Sequence, residues 1–271
     1  MKLNILISTI NSGIEKISEI LLEKRDDVEY IVSHQFTDPQ FNYTPEILQR
    51  TDVKVFHING KGLSKSRNYA IKNATGDIAL IADDDVKYEN EYFDKVLAAF
   101  ADSDVDIALF KIKTINGNEA YKRYPETSNK ISLKNIHSAS SIEIAFKISS
   151  IANKISFDER FGLGSALIGG EENLFIRDAI INGLNVFYFP EYVVKHLKES
   201  TVKGYAKYDR QKNRVEGATD ARMNGLLALP NSILKTIQQA MDMIKEKKNP
   251  FMYLTQRMGG VFYIISKKYN S

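Results

Sequence analysis

Short apolar runs bounded by polar or turn residues recur along the chain, at residues 3–7, 28–33, 53–58 and 78–82. Runs of this length are too short for independent helices and match buried strands. Between several of them the apolar positions take a helical period. Tyr92, Phe93, Val96, Leu97 and Phe100 line one face of a helix expected over about residues 90–100, and residues 64–73 read as another. Strands alternating with helices predict βαβ units around a mostly parallel sheet. The pattern returns to strand at 106–113, then becomes polar over 116–134, where Gly117 and Pro125 mark a surface loop region. A strand is expected at 142–148. A further helix should open at Gly169-Gly170-Glu171-Glu172 and stop at Gly183. Residues 185–189 and 192–196 read as two strands separated by Pro190. From about Tyr205 onward the chain is basic and helix-prone, with no clear strand and no internal repeat.

Composition narrows the class. With 271 residues, 43% hydrophobic and 26% charged, the chain can bury a substantial core and resembles neither a low-complexity nor a fibrous protein. It has no cysteine, which excludes a disulfide scaffold, a thiolate zinc site and a cysteine nucleophile, and fits a reducing compartment. No apolar run approaches the roughly 20 residues that cross a bilayer. The opening residues 1–7 meet Ser8, Thr9 and Asn11 at once, so they read as a strand and not as a signal peptide. The expected location is therefore cytoplasmic.

The formal net charge of +3 is too near neutral for wholesale nucleic-acid binding. That sum joins two unlike parts. Residues 1–194 carry 22 Lys+Arg against 28 Asp+Glu, whereas residues 195–271 carry 15 against 6. The basic tail interleaves its cations with Ile233, Leu234, Ile237, Met241, Ile244, Phe251 and Phe262. Such a segment suits either an anionic membrane surface, peripheral at the inner face, or packing on the rest of the protein with solvated cations.

Candidate chemistry centres on Asp83-Asp84-Asp85, which directly follow the apolar run Ile78-Ala79-Leu80-Ile81-Ala82. If the extended backbone continues, Asp83 and Asp85 face one ligand together and Asp84 faces away. Carboxylates at the carboxyl end of a parallel strand lie where open α/β sheets bind ligands, and hard oxygen donors suit Mn²⁺ or Mg²⁺. A solvated acidic turn is the plainer alternative. Upstream, Gly60-Lys61-Gly62-Leu63-Ser64-Lys65-Ser66-Arg67-Asn68 makes a glycine-containing approach to a helix start, a natural seat for diphosphate. His34, His57 and His137 show no ligand spacing and are expected to be structural or exposed.

These segments resemble the family 2 glycosyltransferases in order and spacing. Gly62-Leu63-Ser64-Lys65-Ser66-Arg67-Asn68 is similar to the family's Gly-x-Ser-x-x-Arg-Asn segment, and residues 78–85 to its strand ending in a DXD motif. Phe157-Asp158-Glu159-Arg160-Phe161-Gly162 and Gly170-Glu171-Glu172 match two later motifs, and His196 matches a late histidine. The resemblance covers roughly residues 1–200. It implies the α/β GT-A fold, with a mostly parallel central sheet flanked by helices. A catalytic domain would span 1–204, divided into a nucleotide-sugar half at 1–115 and an acceptor half at 116–204, and a helical C-terminal extension would follow at 205–271.

The implied activity is inverting, metal-dependent transfer of a hexose from a nucleoside-diphosphate sugar, UDP by preference. The acceptor would be a saccharide or lipid-linked glycan in surface polysaccharide synthesis. Asp85, Asp83 and His196 would hold Mn²⁺ or Mg²⁺. Ser8, Thr9, Asn11, Ser33, Gln35, Gly62, Leu63, Ser64, Arg67, Asn68, Asp83 and Asp84 would bind the nucleotide sugar. Glu172, or else Glu171, would take the acceptor proton, although acidic residues also favour the first turn of any helix. Two features depart from the family pattern. Ser33-His34-Gln35 stands where many members place a base-binding aspartate, and Glu172 stands where they have aspartate. A sugar-nucleotide-forming nucleotidyltransferase and a non-catalytic carbohydrate- or calcium-binding module are the alternative readings.

Overall fold

The computed structural model of the protein describes residues 1–101, 104–117, 119–136, 139–197 and 207–268, without the side chains of 267 and 268. It divides into two compact units, Met1–Phe157 with Phe175–Lys198, and Asp158–Leu174 with Glu199–Ser271.

The first unit is built on eight strands: β1 Leu3–Ile10, β2 Val28–Phe36, β3 Val53–Asn59, β4 Ile78–Asp83, β5 Ile107–Thr114, β6 Asn129–Ile131, β7 Ile144–Lys147 and β8 Val186–His196. They lie in the order β3-β2-β1-β4-β7-β5-β8-β6. β1 pairs in parallel with both β2 and β4, β2 with β3, and β5 with β8, while β7 and β6 run antiparallel to their neighbours. The nearly unbroken burial of β1 and β2 explains why their sequences are continuously apolar: both faces are covered. Leu3, Ile5 and Ile7 enter one core with Tyr92, Phe93 and Val96 of helix α2 (Asn90–Ala99). Leu6, Ile31, Ala79 and Ile81 enter the other, with Ala70 of α1 (Leu63–Asn73) and Phe146. Each of the leucine, isoleucine, valine and phenylalanine side chains so withdrawn from water contributes roughly 1.5–3 kcal/mol.

Besides β6, which lies within the stretch 116–134 expected to be loop, three elements differ from the sequence pattern. The two strands expected at 185–189 and 192–196 form one, β8. Pro190 lies where the β5–β8 register shifts between the Leu109–Tyr188 and Lys111–Tyr192 pairs, so its missing N–H interrupts no ladder bond. The strand expected at 142–148 shortens to β7, because Ser140 and Glu143 close a capping box on a 3₁₀ turn at Ser141–Glu143. The chain then makes a single helical turn, α3 (Ile148–Ile151). Third, the strand bearing the aspartates ends at Asp83, and Asp84 and Asp85 lie in a turn.

The second unit is helical, with α5 (Arg210–Asn224), α6 (Ala228–Lys245) and α7 (Pro250–Lys268). The loop 158–174 groups with these helices, since Phe161, Leu167 and Leu174 share a core with Ala218, Ala221, Ala228, Val261 and Ile264. The division between the units falls within α4 (Glu171–Ile181). Helices α5 and α7 approach backbone to backbone. A Cβ at Gly217 would overlap the Arg257 carbonyl, and one at Gly260 would overlap the Arg214 carbonyl. Beside this crossing the fully buried Arg257 guanidinium donates to Glu216 at 2.7 Å and lies 3.5 Å from the Asp220 carboxylate.

Candidate active site

The strand order places a topological switch between β1 and β4. From β1 the chain builds outward through β2 to β3, then returns to β1's other side as β4. In open α/β sheets ligands bind outside the carboxyl ends of the strands at such a point. Here the register sets Ser8 of β1 beside both Ser33 of β2 and Asp83 of β4. All four polar residues ending β1 and β2 that the sequence singled out, Ser8, Thr9, Ser33 and Gln35, are buried. Ser33 is satisfied by the Ser66 hydroxyl of α1, 3.0 Å away. Among the described residues the Ser8 hydroxyl and the Gln35 amide nitrogen have no hydrogen-bond partner. Buried polar atoms without partners are costly, and a nucleotide's polar groups would relieve that cost. Asn11 follows β1 with φ +51°, an uncommon value for a side-chain-bearing residue, and its amide oxygen accepts from the Thr37 backbone N–H at 2.9 Å.

The three aspartates go to three different partners. Asp83 accepts from the Arg67 guanidinium at 3.1 Å, and Arg67 also donates to the Ser141 hydroxyl at 2.7 Å. Arg67 is buried and lies over the Phe157 ring, so it anchors Asp83 and does not present its charge to solvent. Asn68 fixes the same ring, exchanging hydrogen bonds of 2.9 and 2.8 Å with the Phe157 backbone. Asp84 accepts from the Thr9 hydroxyl at 2.6 Å, and burial lifts its carboxyl above the ordinary range despite that bond. The contact requires Gly13, where a Cβ would overlap both the Asp84 carboxylate and the Thr9 hydroxyl. Asp85 is exposed and lies 3.1 Å from Nε2 of His196. The alternation that was to aim Asp83 and Asp85 at one ligand fails for a local reason: β4 stops at Asp83.

What places His196 against Asp85 is a two-residue bridge. Lys87 and Lys195 exchange backbone hydrogen bonds of 2.9 Å in each direction, pinning the turn after Asp85 to the end of β8. Nδ1 of His196 donates to the Leu197 carbonyl, so Nε2 is the atom that faces the carboxylate. Burial alone would lower the imidazole, but the Asp85 hydrogen bond and charge outweigh it and raise it. The same hydrogen bond holds Asp85 below the usual carboxylate range. Among the described residues no three His, Asp, Glu or Cys side chains gather closely enough to enclose a metal ion. Asp85 and His196 together still offer one oxygen and one nitrogen donor, which fits an ion whose remaining positions are filled by diphosphate and water.

Helix α1 completes this edge. Gly62 precedes it at φ 128° and has no side chain with which to cap the first turn, so the backbone N–H groups at the helix start suit an anion. Glu171 and Glu172 open α4 after Gly170, whose φ of +93° only glycine adopts easily. Glu171 is buried, and Glu172 is partly exposed.

One pair escaped the sequence reading. His34 and His57 are neighbours in the β2–β3 register, and their Nδ1 atoms lie 3.0 Å apart. The Asn11 carbonyl, 2.9 Å from His34 Nε2, can only accept, so His34 carries its proton there. His57 Nδ1–H then donates to His34, and the Thr44 hydroxyl, 2.8 Å away, donates to His57 Nε2. This chain is complete only when both rings are neutral, and burial lowers both imidazoles. The available signal was a histidine two residues before the end of each of two apolar strands, which parallel pairing brings side by side. His137 lies outside the described residues.

Residues 9–161 match the model of the family described as Glycosyl transferase family 2. Over 196 residues the chain is 31% identical to the poly(ribitol-phosphate) beta-N-acetylglucosaminyltransferase TarS of Staphylococcus aureus strains Mu50 and MW2, covering 67% of this chain and 33% of theirs. It thus spans about a third of the length of these curated relatives. The crystal structure of S. aureus TarS superposes with a TM-score of 0.58 at 20% identity, covering 81% of this chain and 39% of that one. The structure of TarS 1-349 in complex with UDP-GlcNAc gives 0.55 at 21%, covering 82% and 67%. The sheet order, the helix start after Gly62, the aspartates closing β4 and the family match agree: this chain belongs to glycosyl transferase family 2.

Proposed function

We propose that the protein transfers a sugar from a UDP-sugar to a hydroxyl of a saccharide or lipid-linked acceptor in surface polysaccharide synthesis, with inversion at the anomeric carbon. The observation that carries this reading is the pair of polar atoms on Ser8 and Gln35 at the switch point, buried and without a partner among the described residues, together with the Asp85–His196 pair at the ends of β4 and β8. The activity of the TarS relatives makes UDP-N-acetylglucosamine the first donor to test and a polyol-phosphate polymer the first acceptor.

In this mechanism Ser8, Asn11, Ser33 and Gln35 seat the nucleoside, while Thr9 and Asp84 support the floor beneath it. Backbone N–H groups at the start of α1 face the diphosphate, and Arg67 holds Asp83 in place for the ribose or the ion's water. Asp85 and His196 would hold Mn²⁺ or Mg²⁺, which supplies charge neutralisation for the departing diphosphate. Glu172 takes the acceptor's proton. It is preferred over Glu171 because it is the less buried of the two, and a general base must reach the hydroxyl.

The test is turnover of UDP-N-acetylglucosamine, with and without acceptor and with and without chelator, in the wild type and in the Asp85→Ala and Glu172→Gln variants. Loss of transfer in both variants, with UDP still bound by Glu172→Gln, supports the assignments. Full activity in both sinks them.

A further inference from the structure

Helix α6 is inside out. The residues it buries are Ala228, Ser232, Thr236 and Met243, and the two hydroxyls among them donate back to carbonyls of their own helix, at 2.8 and 2.7 Å. Most of its large aliphatic side chains point outward instead. Leu226 and Leu227 before the helix, then Ile233, Leu234, Ile237, Met241 and Ile244, are all exposed, Ile237 at 67% and Met241 at 69%. At 3.6 residues per turn these positions fall in a stripe about 120° wide, opposite the buried face. Phe251 and Met252, where α7 begins, are exposed as well. Scattered apolar residues on a surface need no explanation, but a continuous stripe on one helix does.

The rim of the stripe is cationic. Lys235, Lys245, Lys247 and Lys248 are exposed. The two carboxylates of the same stretch, Asp242 and Glu246, are both taken up by Lys207. Protein–protein interface cores are depleted of lysine and enriched in aromatic and arginine anchors, which this stripe lacks along α6. An aliphatic face with lysines beside it is instead the composition of a helix lying in the plane of an anionic bilayer surface. Among the described residues no helix is long and apolar enough to cross a membrane, so the contact is one of lying on and not of spanning.

We propose that α6 is a membrane-docking helix, its 226–244 stripe set into the headgroup region of an anionic bilayer and its lysines against the lipid charges. The proposal is independent of the transfer chemistry assigned above, and its test does not read turnover. The chain contains no tryptophan, so Ile237→Trp makes a sole indole reporter at the centre of the stripe. With vesicles of phosphatidylglycerol and phosphatidylcholine, its emission should shift to the blue and the full chain should float with the vesicles. With phosphatidylcholine alone, or in high salt, both signals should weaken. Ile237→Glu combined with Met241→Glu should lower vesicle partitioning about tenfold or more while the thermal melt stays that of the wild type. Lys245→Gln, Lys247→Gln and Lys248→Gln together should weaken binding to anionic vesicles and flatten its salt dependence. Equal flotation of the wild type and the Ile237→Glu/Met241→Glu variant would overturn the proposal. So would an absence of vesicle binding combined with a blue shift and concentration-dependent dimerisation in buffer alone, which would assign the stripe to a second copy of the chain.

Discussion

The sheet unit and the helical unit leave opposite demands unmet. At the carboxyl edge of β1 and β2 the polar atoms of Ser8 and Gln35 are buried without partners among the described residues, and on α6 the apolar side chains are exposed without cover. Folding normally resolves both, because orphaned buried polar groups and bare apolar stripes each cost free energy. Each unit tolerates its cost where surrounding structure is strong. Around Ser8 two hydrophobic cores clamp β1 from either face. Behind α6, the Gly217–Gly260 crossing and the buried Arg257 cluster hold α5 and α7 together. A polar deficit at a sheet edge asks for a polar ligand, and an apolar excess on an exposed helix face asks for an apolar phase.

Substitutions can break this comparison, the largest effect first. Asp85→Ala and Glu172→Gln should each reduce transfer by at least about a hundredfold in steady-state kinetics while leaving the thermal melt unchanged. Retention of rate would remove the sheet edge from the chemistry. Arg257→Met should destabilise the helical unit by about 3–5 kcal/mol in urea unfolding, because it strands the Asp220 carboxylate, which is 7% exposed. Ser8→Ala separates a ligand role from a structural one. It should leave the ligand-free melt unchanged or slightly raised, yet weaken UDP binding about tenfold by calorimetry. A fall in the melt without a loss of affinity would mean that Ser8 serves the fold.

A smaller effect should follow pH. His34 and His57 are held below their ordinary value of 6.5, so the unfolded chain takes up protons before the folded one does. Stability from the neutral pair is therefore complete above pH 6.5 and is lost as the pH falls below it. Melting temperatures measured from pH 7.5 to 5 should decline over that range, and replacing both rings with glutamine should flatten the decline. The smallest effect is the most diagnostic for the helical unit. Ile237→Glu should change unfolding free energy by no more than about 0.5 kcal/mol, whereas Ile31→Ala, fully buried in the sheet, should cost about 2–5 kcal/mol.

The sheet was legible because its strands are buried on both faces and so are apolar throughout, as in Ile5-Leu6-Ile7 and Leu80-Ile81-Ala82. Helix α2 was legible from its stripe of Tyr92, Phe93 and Val96. The single strand through Pro190 was not, since a bulge that excuses a proline is a property of the pairing with a strand far away in the chain. The partners of the aspartates were equally hidden. Arg67 and Ser141 are 74 residues apart, and Asp85 meets His196 only because Lys87 bridges Lys195. On α6 the sequence shows an amphipathic helix but not its orientation, because periodicity states that two faces differ and not which one is covered.

Local residue patterns thus determined the strands, the helices, the family motifs and the basic character of the tail, all of which depend on neighbours a few positions apart. Tertiary structure alone decided which polar atoms at the switch point lack a partner, that the three aspartates go to three different partners, and that α6 faces outward. These are outcomes of packing between segments far apart in the chain, where the available space and the competing partners select among arrangements the sequence permits equally.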